Sequence, residues 1–249
     1  TRAEERGTFY CMTQRVRATT LVYLGRGMLA VAPASLAAQA SGWYDDAWAA
    51  RQAVTIDSSV TTADLSGFPV LVRVAGGANP LFTGARADGR DILFTSSDGV
   101  TKIPHEIELY DPTGGSEELL AWVRVPTLLA LTDTVIYLYY DNPGAPDQED
   151  AANVWDDGYE VVMHLDEQVT NGEVGALHFD STANGYVGTQ YRNEGIANGR
   201  IGRAQNFGRN DGDLDENDAL DVGNIFSDDW TAITLETWIY RNGTDDARI

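Results

Sequence analysis

Acidic side chains are the commonest chemically capable groups in this sequence, and their spacing decides what they can do. Glu106 and Glu108 lie two apart in His105-Glu-Ile-Glu-Leu-Tyr110, so on a strand they share a face. Paired carboxylates about 5 Å apart serve retaining glycosidases, and neighbouring same-face positions come near that spacing. The same alternation has a plainer outcome: Glu106, Glu108 and Tyr110 face water, while His105, Ile107 and Leu109 lie on the core side. Tyr110 and Asp111 supply no further carboxylate in register, so no catalytic residue is assigned.

Two oxygen-rich stretches are candidates for calcium, which takes six to eight oxygen ligands. In Asp211-Gly-Asp-Leu-Asp-Glu-Asn-Asp218, the residues Asp211, Asp213 and Asp215 fall at positions 1, 3 and 5 of an EF-hand-like loop. Glu216 stands where such a loop needs Gly, and Val222 where it needs Glu. An EF-hand is excluded, which leaves a solvated acidic loop ahead of a surface calcium site. The second stretch, Asp180-Ser-Thr-Ala-Asn-Gly185, offers Asp180 and Asn184, and reads equally as an Asx-turn loop. His164 and His178 have no cysteine near them and poor spacing for zinc, so both read as structural. For stacking on a sugar ring the candidates are Trp230, Tyr186 and Tyr191, whereas Trp238 beside Ile239 reads as core.

Composition narrows the partners. Seventeen basic residues stand against 38 acidic ones for a net charge of −21, and Lys102 is the single lysine. Such a surface repels phosphate, which argues against nucleic acid and anionic membranes. The one cysteine, Cys11, forms no disulfide scaffold.

These side chains need a scaffold, and the first 40 residues read as lying outside it. From Met12 the chain has Arg15 and Arg17, an apolar middle interrupted by Arg26, and Ala38-Gln39-Ala40 as a cleavage site. That layout predicts a secretory leader with a mature start near Ser41, and residues 1–11 read as upstream sequence. No uninterrupted apolar run reaches the roughly 18 residues of a membrane span. The expected location is therefore secreted or cell-surface.

Residues 41–145 carry short strand-like runs: Gln52–Asp57, Phe68–Val74, Asp91–Thr95, Ile103–Tyr110, Leu119–Val125 and Thr134–Tyr140. Turn chemistry such as Asp88-Gly89, Asp98-Gly99 and Gly114-Gly115 punctuates them. Short strands with such turns and no long helical period predict an antiparallel sandwich. A Pro- and acid-rich connector over 146–157 then leads to a second set of runs over 158–249, beginning at Tyr159–Leu165 and including Gly202–Phe207, Ala219–Val222 and Ile233–Tyr240.

Several pieces of the first module resemble the DUF2341 domain of secreted and cell-surface bacterial and archaeal proteins. They are Trp43–Trp48 with Val54–Ile56, Phe68–Arg73, Ala87–Thr95, Pro104–Glu108, Ala121–Pro126 and Thr134–Tyr140. Where that family tends to have Tyr-Gly-Asn, this chain has Tyr140-Asp141-Asn142, a mild departure because Asp also tolerates turn conformations. The family brings no established activity. Met163–Glu167, Asp180–Thr182 with Asn184-Gly185, Gly202–Phe207 and Thr231–Tyr240 resemble the start of a laminin-G-like, concanavalin A-like jelly roll. That resemblance implies a structural calcium, with Asp180 and Asn184 as side-chain ligands.

The expected architecture is all-β: two antiparallel β-sandwich modules, the second a partial jelly roll. A jelly roll closes with about eight strands, and the five or six counted by Ile249 predict a module cut short with exposed edges. The expected function is noncatalytic binding of an extracellular glycan or protein. A structural ectodomain of a larger envelope protein, of the biopolymer-transport proton-channel type, is the alternative, and a glycoside hydrolase ranks below both.

Overall fold

The computed structural model describes residues 6–9, 11–14, 42–155, 158–170, 173–191, 195–208, 219–225 and 232–242. Arg6–Phe9 (β1) and Cys11–Gln14 (β2) come first. They are followed by Ala50–Ile56 (β3), Leu65–Ala75 (β4), Leu93–Thr95 (β5), Lys102–Ile103 (β6), His105–Asp111 (β7), Glu118–Leu128 (β8) and Thr134–Tyr140 (β9). Beyond these lie Tyr159–Met163 (β10), Leu177–Phe179 (β11), Val187–Tyr191 (β12), Ile196–Asn198 (β13), Arg203–Gly208 (β14), Ala219–Asp221 (β15), Thr234–Glu236 (β16) and Ile239–Asn242 (β17). The two α-helices among the described residues, Leu81–Gly84 (α1) and Ala151–Val154 (α2), are single turns. The all-β expectation therefore holds, and the chain divides into two compact units: Thr20–Val154, and Trp155–Ile249 together with Thr1–Thr19.

The first unit packs a sheet ordered β3-β9-β5-β6 on a sheet ordered β4-β8-β7. Its strands are rich in β-branched residues at alternate positions, and register puts the alternates on one side: Val72 faces Ala121, Val70 faces Val123, and Val54 faces Ile136. These join Ile56, Val74, Phe94, Ile103, Leu119, Val125 and Leu138 in one buried core. Each such side chain contributes about 1.5–3 kcal/mol on leaving water. The outer side of the β9 sheet carries a smaller core of Trp48, Leu93, Tyr139 and Ala145.

The alternation expected for β7 fails at one point. Pairing with β8 shifts register between Ile107 and Leu109, so Glu108 occupies a β-bulge. An extra residue on one strand reverses the facing of the residues beyond it. Glu108 is buried and Tyr110 packs against the core. His105, expected on the core side, is fully buried.

The connector packs on the first unit. The Ile107 amide donates to the Glu149 carboxylate at 2.7 Å, the Asp150 amide to the His105 carbonyl at 2.9 Å, and Lys102 Nζ to the Gln148 side chain at 2.9 Å. The unit boundary accordingly falls after Val154, within the expected connector.

In the second unit the sheets are β13-β14-β1-β17, β10-β2-β16 and β11-β12-β15, all antiparallel. In these sheets β1 and β2 are interior strands. Strand edges need hydrogen-bond partners, and these two segments supply them on both sides. The long strand expected over Ile233–Tyr240 is split: β16 pairs with β2 and β17 with β1, so the chain changes sheets between them. Trp238, expected in the core, sits at that break and is 40% exposed.

Candidate functional site

The sheet β11-β12-β15 is built with its apolar side outward. Register pairs Leu177 with Thr189, Phe179 with Val187, Thr189 with Asp221, and Tyr191 with Ala219. Directly opposed residues of an antiparallel pair project to the same face, so Leu177, Phe179, Val187, Thr189 and Tyr191 form one surface. Its members lie in the open: Leu177 is 47% exposed, Phe179 56%, Val187 45% and Tyr191 49%. A rise of about 3.4 Å per residue spreads Val187 to Tyr191 over roughly 14 Å.

Beneath that surface polar side chains lie beside Leu220, which packs on the core of Val161, Met163, Leu165 and Ile225. His178 and Gln190, the alternates on β11 and β12, are buried. His178 Nδ1 bonds the Glu167 carboxylate at 2.6 Å and Nε2 bonds Gln190 Oε1 at 2.9 Å. Glu167 also accepts from the Phe179 amide at 2.7 Å, and Gln190 Nε2 donates to the Glu173 carbonyl at 2.8 Å. Gln205 Nε2 reaches the carbonyls of Leu165 and Glu167. Leu165 takes a left-handed backbone, φ 58°, and is buried. Such a conformation is sterically costly for a branched residue, and here the bond to Gln205 and burial of the side chain hold it. Burial pulls the His178 pKa down, but its bonds to Glu167 and Gln190 outweigh that and leave it raised. Burial likewise pushes Glu167 up, and the bonds from His178 and the Phe179 amide bring it below its ordinary value. The hydrogen-bonded pair ties β11 to the Glu167 segment from behind, which matches the structural reading of His178.

The other residues singled out in the sequence take various places. Tyr191 lies on the outward surface. Tyr186 packs partly against the core of Val161, Met163, Leu165 and Ile225 and donates its hydroxyl to the Glu160 carboxylate at 2.8 Å. Asp180 Oδ1 accepts from the amides of Val162 and Thr182, and Oδ2 accepts from the Thr182 hydroxyl and the Tyr186 amide. Asn184 donates to the Glu160 carbonyl at 2.9 Å. The Asp180 loop is therefore closed by its own donors against β10, the Asx-turn alternative of the sequence reading. Asp211, Asp213, Asp215 and Trp230 lie outside the described residues. No group of three or more His, Cys, Asp or Glu side chains converges among the described residues. Phe179, Leu177 and Val187 were not read from the sequence as surface residues; the signal was the alternation in Leu177-His-Phe179 and Val187-Gly-Thr-Gln-Tyr191.

In the first unit the carboxylates serve the fold. Glu108, expected to face water beside Glu106, is buried and accepts from Trp122 Nε1 at 3.1 Å. Asp91 is fully buried and accepts three backbone amides, from Arg86, Asp141 and Asn142. Its bond to Asp141 fixes the turn after β9, where Asp141 adopts φ 69°. The expectation that Asp would serve there in place of Gly holds.

With that geometry in hand, the comparisons place part of the chain. Residues 88–186 match the family described as Domain of unknown function (DUF2341). The match takes in Asp91, β5 to β9, the connector, β10, β11 and the whole Asp180 loop. It therefore begins later and extends further than the pieces from Trp43 to Tyr140 that carried the resemblance. No curated protein and no solved structure matches the chain.

Proposed function

We propose that this chain is a secreted or cell-surface module that binds an extracellular glycan or protein without transforming it, through the outward face of β11, β12 and β15. The observation that carries this reading is the inverted pattern of β11 and β12, with apolar and aromatic side chains outside and His178 and Gln190 inside. A small soluble domain hides its apolar face unless that face has a ligand. Phe179 and Tyr191 offer aromatic surface, with the Thr189 hydroxyl and the Asp221 carboxylate between and beside them for polar contacts. A laminin-G-like relation of the second unit fits a surface of this kind.

The noncatalytic part of the proposal rests on the engaged state of the carboxylates. Glu108 is tied to Trp122, Asp91 to three amides and Asp180 to four donors. A structural calcium at Asp180 would have to displace those donors, so calcium has no part in this binding mode. No helix among the described residues is long and apolar enough to cross a membrane.

The experiment is retention on a panel of immobilised polysaccharides and extracellular matrix proteins, with and without chelator. Retention of the native chain on at least one ligand, unaffected by chelator and lost in Tyr191→Ala, is the expected result. Retention that survives Tyr191→Ala and Phe179→Ala together, or product release from any polysaccharide, would defeat the proposal.

A further inference from the structure

The outer side of the sheet β3-β9-β5-β6 holds an arginine among aromatic rings. Register sets Arg51 opposite Tyr139 and Ala53 opposite Tyr137, so the arginine and both tyrosines share that side. The Arg51 guanidinium carbon lies 4.7 Å from the Trp43 ring centroid, 4.4 Å from that of Tyr137 and 5.6 Å from that of Tyr139. Nη1 donates to the Gly42 carbonyl and to the Tyr139 hydroxyl, both at 2.6 Å. The Tyr139 hydroxyl in turn donates to the Gly99 carbonyl at 2.8 Å. These bonds fix the side chain through one nitrogen. Nε and Nη2 have no acceptor among the described residues, and neither is sealed from solvent. A counter-ion is missing too: Arg73 pairs with Glu118, and Arg86 and Arg90 with Asp88, while Arg51 pairs with no carboxylate among the described residues. Asp98, in the adjoining turn, uses both carboxylate oxygens on Val100 and Thr101.

We propose that Trp43, Arg51 and Tyr137 form a binding site for a uronate, a sugar that carries a carboxylate on its ring. The Nε and Nη2 hydrogens of a guanidinium make a fork that takes both oxygens of a carboxylate at once. Each ring face attracts the cation and holds that fork in place, so little side-chain freedom is lost when a ligand arrives. Trp43 is 38% exposed and offers a flat apolar face to sugar C–H bonds. The Tyr137 hydroxyl has no hydrogen-bond partner among the described residues and is open to solvent, which leaves it for a sugar hydroxyl. An acidic peptide would satisfy the fork and leave the Trp43 face unused. With a net charge of −21 the molecule repels polyanions at long range, so a local fork selects a short or terminal uronate over a long run of them. The site lies in the first unit and stands independently of the platform formed by β11, β12 and β15.

Titration of the full chain with trigalacturonate, followed by the Arg51 Nε–H signal in NMR, tests the proposal. The methyl ester of the same trisaccharide, whose carboxyl groups carry no charge, is the comparison ligand. Saturable movement of the Arg51 signal is expected with the acid, and affinity about tenfold lower with the ester. Arg51→Lys keeps the charge and removes the fork, and Trp43→Leu removes the ring. Each is expected to weaken binding by about tenfold while the methyl signals of Val72 and Val123 in the first core keep their positions. No saturable binding at millimolar trigalacturonate, equal affinity for acid and ester, or saturable binding that leaves the Arg51 signal unmoved would overturn the site. All three outcomes are read on the native chain and do not depend on how a variant folds. A tetra-aspartate peptide bound as tightly as the sugar would overturn the assignment to a uronate.

Discussion

At the scale of single residues, two buried histidines respond to acid in opposite senses. His105 has no hydrogen-bond partner of normal geometry on either ring nitrogen and packs against Phe94, ring centroids 5.3 Å apart. Burial first, then the nearby Lys102 charge, pushes its pKa down to about 4, partly offset by Asp147, the Ile92 backbone and Glu106. The folded value lies below the unfolded value near 6.5, so the unfolded state binds the proton more readily. The first unit should lose about 3 kcal/mol as pH falls from 6.5 through 4. His105→Phe should flatten that dependence in urea titrations followed by first-unit probes. For His178 the folded value is raised, so its contribution is complete below 6.5 and fades as pH rises through the folded value. For Glu167 it is depressed, so its contribution is complete above about 4.5 and fades on acidification. Between those limits the second unit should therefore be at its most stable, and Glu167→Gln should abolish that maximum when exchange of the β11 and β12 amides is measured against pH.

Asp91 makes a sharper claim. Replacing it by Asn keeps the shape but removes the charge and one acceptor oxygen from a site where three amides converge. Leaving buried donors short of an acceptor costs about 2–4 kcal/mol, which chemical denaturation of Asp91→Asn should show as a lowered midpoint with unchanged slope.

At the scale of elements, the first unit is clasped by two glycines. Gly42 approaches the turn after β5 so closely that a Cβ there would lie 2.6 Å from the Asp98 carbonyl, and one on Gly99 would lie 2.5 Å from the Gly42 carbonyl. Gly99 also has φ 76°, a conformation side chains resist. Gly99→Ala should cost about 2 kcal/mol or more and loosen the Trp43–Trp48 segment, seen as a red shift and higher quenching of tryptophan fluorescence. The Asp-Gly signal was plain in the sequence, as were β3, β8 and β9, because their β-branched alternation coincides with burial. Glu108 was not, since nothing local in Glu-Ile-Glu marks a bulge that arises from pairing with β8. The run from Ile233 to Tyr240 looked like one strand because its division depends on β1 and β2, more than 200 residues away in the chain. The outward platform was half legible: Tyr191 was picked for its ring, but β11 is three residues long and too short for alternation to declare which side is inside.

For the whole molecule, the two units have distinct cores and distinct dependences. The first is closed by its own segments from Gly42 to Val154, including the connector. The second has a small core around Val161, Met163, Leu165 and Ile225 and relies on the N-terminal strands for pairing. A net charge of −21 sets up self-repulsion in both, which added salt screens within about 10 Å at 0.1 M. Raising sodium chloride from 10 to about 200 mM should therefore increase the denaturation midpoint; no change would mean that the acids are too dispersed to repel.

Function enters at this scale because the platform is a sheet face that gathers Leu177, Phe179, Val187 and Tyr191 on its exposed side. Its direct test is a methyl NMR titration of the intact chain with whichever immobilised ligand retains it, following Leu177 and Val187. These methyl signals should shift in saturable fashion, with the first-unit methyls of Val72 and Val123 unmoved, and Phe179→Ala with Tyr191→Ala should abolish the shifts without lowering stability. Saturable binding that leaves Leu177 and Val187 unperturbed would contradict the proposal and place recognition elsewhere on the molecule.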